Sequence, residues 1–137
     1  MKPSPGYKFF SQYYVYAFLQ PVAVAANGVA QDSIIMNTFD FIAREIAVET
    51  TSDNLLINFR DNNQNLWFNV ALKVNLHFTN RGANRFNLKL CDTRYLWGKQ
   101  TITMELQDLS GAPNNVYCSI AGSALYPNDG SRRAPNL

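Results

Sequence analysis

Hydrophobic and polar residues alternate most regularly between positions 100 and 122. In "QTITMELQ", Ile102, Met104 and Leu106 alternate with Thr101, Thr103, Glu105 and Gln107. After "DLSGAPNN", Val116, Cys118 and Ile120 alternate with Tyr117 and Ser119. A period of two is that of a strand with one buried face, so the two runs predict the closing hairpin of a sheet, with Thr101, Thr103 and Glu105 facing outward.

Earlier segments extend the pattern. "YYVYAFLQPVAV" (13–24) is rich in aromatic and branched residues that suit strands, and Pro21 in it predicts an edge position or a bulge. "NG" at 27–28 is a hairpin-turn signal with "AQDSIIMN" (30–37) as the return strand. "NLLINFR" (54–60) places Leu55, Ile57 and Phe59 on one face, and "DNNQN" (61–65) closes a turn before "LWFNVAL". "TFDFIAREIAVET" (38–50) fits either a helix capped by Thr38 or a strand whose phase changes midway. Its neighbours and phenylalanines favour the strand, and a β-bulge would explain the change of phase. Periodicity is weak over 70–85, where "TNRGANR" reads as a long loop. Turn signals every ~8–12 residues predict an all-β, antiparallel β-sandwich. A jelly-roll-like pairing of distant strands fits it but does not follow from periodicity.

Composition supports this class. The 137 residues suffice for one domain with its own core. The 16 asparagines are poor in helices and favoured in turns. Charged residues make up only 16%, below the usual quarter, so neutral polar groups or partner subunits must finish the surface. The expected organisation is an extended N-terminal arm over 1–12, a sandwich over 13–126 and a flexible polar tail over 127–137. The arm holds Pro3, Pro5 and Gly6 beside Tyr7, Phe9 and Phe10, which are costly to leave in water. A net charge of +2 argues against nucleic acid, which calls for a clustered basic face; Arg132 and Arg133 form the one dense basic spot. No run approaches the ~18 apolar residues of a membrane span, and "MKPSPGYKFF" lacks the apolar core of a secretion signal. The expectation is a cytosolic origin with reduced thiols, and Cys118 as a buried free thiol.

Candidate chemistry is sparse. His77 stands alone in "NLHFTN", without a nucleophile motif, and reads as structural or surface-exposed. His77, Cys91 and Cys118 lack metal-ligand spacing. Asp61, Asn63 and Asn65 begin like a calcium loop, but the positions that need Gly and Glu hold Leu66 and Leu72. The carboxylates are scattered; folding could bring a glycosidase-type pair together, but nothing singles one out. Trp67 and Trp97 are open to three readings: core, protein interface or ligand platform. No catalytic residue, metal or cofactor is expected.

Phe41 with Arg44, Phe59 to Asp61, and Ile120, Gly122, Leu125 and Tyr126 stand in an order that resembles β-sandwich proteins of tailed-phage virions, the capsid decoration (cement) and head-associated type. The resemblance covers roughly residues 15 to 127 and lies in loose strand patterns. It implies a non-enzymatic structural protein of the virion, made in the host cytoplasm, that stabilises a capsid through contacts with the major capsid protein or other virion subunits and forms homo-oligomers on the particle. Nucleic acid and membrane are not among the partners it implies. The candidate assembly contacts are Tyr7, Phe9, Phe10, Tyr13, Tyr14, Trp67, Trp97, Arg132 and Arg133. The rival readings are a tail or receptor-binding module, a carbohydrate-binding module, and a hydrolase.

Overall fold

A computed structural model describes residues 9–127, with side chains from Ser11 to Tyr126. The described strands form two packed antiparallel sheets. In chain order the elements are β1 (Phe9–Ala17), β2 (Val22–Val24), β3 (Val29–Ile35), β4 (Asp40–Thr50), β5 (Leu55–Arg60), β6 (Leu72–Lys73), the one-turn helix α1 (Val74–His77), β7 (Thr79–Gly82), β8 (Arg85–Leu96), β9 (Thr101–Asp108) and β10 (Asn114–Pro127). One sheet has the order β1-β10-β4-β8-β7, with β2 continuing the β1 edge along β10; the other has the order β3-β9-β5-β6. The chain changes sheet between β2 and β3, β3 and β4, β4 and β5, β6 and β7, β8 and β9, and β9 and β10. This nesting of distant strands is the jelly roll, two Greek keys wrapped into one sandwich.

The core lies between the sheets and is built by the inward phase of each strand. Phe41, Ala43, Ile46 and Val48 of β4, with Val116, Cys118 and Ile120 of β10, meet Leu55, Ile57 and Phe59 of β5 and Ile102, Met104 and Leu106 of β9, all nearly free of solvent. Burying each large side chain contributes about 1.5–3 kcal/mol. The ambiguous 38–50 segment is a strand, and its change of phase is a bulge. β4 skips Arg44 in its pairing, where Ala121 faces Glu45 and Gly122 faces Ala43. Phe41 and Ala43 therefore point inward before the bulge, Ile46 and Val48 after it. Gly122 lets the strands close at that point: a Cβ there would stand 1.9 Å from the Ile42 carbonyl oxygen.

Four expectations need correction. β9 and β10 do not form a closing hairpin: β9 pairs with β3 and β5, β10 with β1, β2 and β4. Both alternate because both bury one face against the opposite sheet, and periodicity reports burial rather than partner. "NG" likewise makes a turn, with Asn27 at φ 54° and the Gly28 N–H bonded to the Ala25 carbonyl at 2.8 Å, but it joins two sheets. The loop expected at "TNRGANR" is a tight hairpin between β7 and β8. Gly82, Ala83 and Asn84 all take positive φ there, and the strand residues face solvent and so lack an apolar rhythm. Of the arm expected over 1–12, residues 9–12 are strand instead, since β1 pairs continuously with β10 from Phe9; residues 1–8 lie outside the described residues.

The crossing from β9 to β10 is held by one carboxylate. Buried Asp108 accepts the Ser110 hydroxyl at 2.6 Å and the backbone N–H groups of Asn27 at 2.9 Å and Gly111 at 3.1 Å. It thus ties the β2–β3 turn to the β9–β10 crossing. The Ser110 hydroxyl first, then these amides, outweigh burial and hold its acid down at about 2. A carboxyl with a depressed folded-state pKa stabilises the fold above its unfolded value and loses that contribution as pH falls through the folded value. Asp108→Asn is therefore expected to lower stability most near neutral pH. Its deficit against the wild type should shrink as pH falls from about 4 toward 2, as read by urea unfolding at a series of pH values.

Candidate functional site

A groove of about 540 Å³ lies on the outer face of the four-stranded sheet. Leu56, Asn58 and Arg60 of β5, Glu105 and Gln107 of β9, and Val29 and Gln31 of β3 form its floor. The β5–β6 connection, through Leu66, Val70 and Ala71, forms its wall. The floor residues point away from the core because their neighbours in each strand point into it.

The wall is fixed by three devices. Asp61 Oδ1 accepts the backbone N–H groups of Asn63 at 2.8 Å and Asn65 at 3.0 Å, closing the turn that "DNNQN" predicts. The carboxylate is thereby used in turn-making of the kind Asp favours. Asn58 is buried, donates from Nδ2 to the Phe68 carbonyl at 3.0 Å and accepts the Phe68 N–H at 3.3 Å. Trp67 turns inward, its ring 5.1 Å from that of Phe59 and its carbonyl accepting from Arg94 Nη2 at 3.2 Å, while the Arg94 guanidinium lies 5.0 Å from the ring centre. Across the floor Arg60 Nε donates to Glu105 at 2.7 Å, so the groove holds one matched ion pair.

The structure separates the expected contact residues. Tyr13 is exposed on β1, while Tyr14 packs edge-on against Tyr16 and Phe39 and accepts a hydrogen bond from Asn37 Nδ2 at 2.9 Å. Trp67, at 7% exposure, is core and no surface contact. Its long apolar ring fills the space beside Phe59, while its apolar neighbours Leu66 and Val70 reach the surface. Trp97, at 44%, stands open in the β8–β9 turn, T-shaped against Tyr95 at 5.3 Å. Tyr95 donates to Asp40 Oδ2 at 2.7 Å, and Asp40 Oδ1 accepts the Gly98 N–H at 2.8 Å. Burial first, then Asp40, raises the Tyr95 phenol well above its usual range. Phe9 and Phe10 open β1, and their side chains, like Tyr7, Arg132 and Arg133, lie outside the described residues. The four candidates whose side chains are described, Tyr13, Tyr14, Trp67 and Trp97, do not form one patch.

His77 is exposed at the end of α1, its Nδ1 accepting the Lys73 N–H at 3.2 Å. Cys118 is a buried free thiol, raised by that burial, and Cys91 is free and exposed. Among the described residues, no three His, Cys, Asp or Glu side chains converge as metal ligands.

No family model matches the chain, and no curated protein matches it in sequence. Three solved structures share part of its shape. The serine protease of Aeromonas sobria aligns over 89% of this chain and 28% of its own, at 11% identity and a TM-score of 0.44. A family two carbohydrate esterase from Cellvibrio japonicus aligns over 93% and 37%, at 10% identity and 0.35. The infectious bursal disease virus VP2 subviral particle aligns over 95% and 44%, at 10% identity and 0.23. The chain thus spans less than half the length of each. At these scores the likeness decides nothing about activity, and the jelly roll rests on the chain's own strand order.

Asn58 is the residue on which the groove wall turns. Asn58→Ala is expected to cost about 1–3 kcal/mol, because it strips both partners from the Phe68 backbone. Urea unfolding gives the loss, and hydrogen exchange should show the Phe68 amide deprotected while amides of β9 stay protected.

Proposed function

We propose that the chain is a non-enzymatic structural subunit of a tailed-phage particle that decorates and stabilises the capsid by docking on virion subunits. The observation that carries this reading is the outer face of the four-stranded sheet. Val29, Leu66 and Val70 stand exposed along the groove, and Ile35 stands exposed at the far end of β3. Uncovered apolar clusters beside a shaped groove mark interaction surfaces, and covering them removes apolar area worth ~25 cal/mol per Å². The sparse charge of the chain suits such a face, and the jelly roll is an architecture used by capsid domains. Repetition around a shell would multiply a weak contact through avidity. Quantitative mass spectrometry of purified particles tests the reading. The expected result is this chain in hundreds of copies per particle; its absence, or a handful of copies, would contradict a decorating role.

A second reading, a tail or carbohydrate-binding module, draws on Trp97. An exposed indole braced by Tyr95 and set beside the Asp40 carboxylate is a platform on which a sugar ring could stack. On that reading a glycan array gives specific binding that Trp97→Ala abolishes with the thermal midpoint unchanged. A blank array removes it.

A further inference from the structure

The strand β1 forms an edge of its sheet, pairing along its whole length with β10 and with no other described strand. Apart from that ladder, no backbone group of Phe9–Ala17 hydrogen-bonds another described residue. In an antiparallel ladder, alternate residues turn their N–H and C=O groups away from the partner strand, so β1 presents a row of backbone groups that no described residue pairs.

Proteins usually blunt such edges with charge, proline, bulges or short length. The other described edges follow this rule. β6 has two residues; β7 has four, with Arg81 and the turn residue Gly82; β2 has three and follows Pro21; β3 carries Asp32 mid-strand, its carboxylate held by the Leu19 N–H at 2.8 Å. β1 has none of these devices. Its nine residues, "FFSQYYVYA", contain no charge, no proline and no glycine, and their register with β10 runs unbroken. Outward on this strand stand Ser11, Tyr13, Val15 and Ala17, with Tyr13 at 72% exposure.

We propose that β1 is a self-docking edge, on which a second copy of this chain pairs antiparallel through its own β1 about a two-fold axis at Tyr13. Such an interface sets each residue against its own symmetry mate. Tyr13 then meets Tyr13 of the other copy, Ser11 meets Val15, and Phe9 meets Ala17. A charged strand would place like charges together; this one places none, and the chain's net charge of +2 adds little repulsion. The outward row gains an aromatic cross-strand pair with Val15 diagonal to it, the kind of contact that stabilises strand pairing. Two five-strand paths then join into one continuous sheet across the dimer. A single strand pair buries less than the ~1,600 Å² of a standard stable interface, so the dimer is a weak one. The pairing does not depend on the virion reading and would serve any function of the domain.

Sedimentation velocity over a dilution series, with site-directed cross-linking of the full chain, tests the pairing. The expected result is a concentration-dependent dimer whose dissociation constant rises at least about tenfold in Val15→Lys, with the unfolding midpoint unchanged. In a Cys91→Ser background, Tyr13→Cys should form a disulfide-linked dimer under mild oxidation, because paired Cα atoms sit ~4.5–5.5 Å apart. Ile35→Cys, on the β3 edge, should not. A monomer at every concentration, a dimer indifferent to Val15→Lys, or cross-linking through position 35 and not 13 would overturn the proposal. The first of these outcomes leaves the edge to a strand from another protein or to none.

Discussion

The contact between the inner faces of the two sheets governs everything else in this domain. Phe41, Ile46 and Ile120 on one side and Leu55, Ile57, Phe59, Ile102 and Met104 on the other are wholly removed from solvent. Neither sheet could stay flat on its own in water with such a face exposed. Each strand must deliver its apolar phase to this layer. Local departures from regular structure have the same purpose: the Arg44 bulge restores the inward phase of β4 after Ala43, and Gly122 lets β10 approach β4 there. Asp108 ties two inter-sheet connections at one end. At the other, Asn37 ties the β3–β4 connection to β1, donating its N–H to the Tyr16 hydroxyl at 3.1 Å. Burial pushes that Tyr16 phenol up to about 12, so it stays protonated at any physiological pH.

Once the inner faces are committed, the outer faces are free to differ, and they do. The outer face of the four-stranded sheet carries the groove and its apolar rim, with one matched ion pair across the floor. The outer face of the larger sheet carries charged groups such as the Arg85–Glu49 pair, yet its β1 edge is charge-free. Trp67 links the core to the groove. Its ring completes the core, and its backbone carries Leu66 and Phe68 into position along the groove wall.

Strand content was legible in the sequence because burial imposes period two on any half-buried strand, whatever its partner. The phase change in 38–50 was legible for the same reason: a bulge moves the apolar residues from one parity to the other. Partners were not legible. β9 and β10 carry the alternation of a hairpin and lie in opposite sheets, since a short turn can close a hairpin or cross a sandwich equally well. β7 was missed because its side chains face water. The groove left no signal at all: Val29, Gln31, Leu56, Val70 and Gln107 are ordinary strand and loop residues that only the fold assembles. Trp67 and Trp97 are indistinguishable by type, and what separates them is a core vacancy beside Phe59 that no local pattern encodes.

The central claim is that β9 and β10, neighbours in sequence, lie in opposite sheets, as do β2 and β3, β3 and β4, and β4 and β5. Backbone nuclear Overhauser effects test it directly. The account predicts cross-strand contacts that place Ile120 between Tyr16 and Ile46, and Leu106 between Ala30 and Ile57. Cross-strand contacts joining β9 to β10 as a hairpin would contradict it.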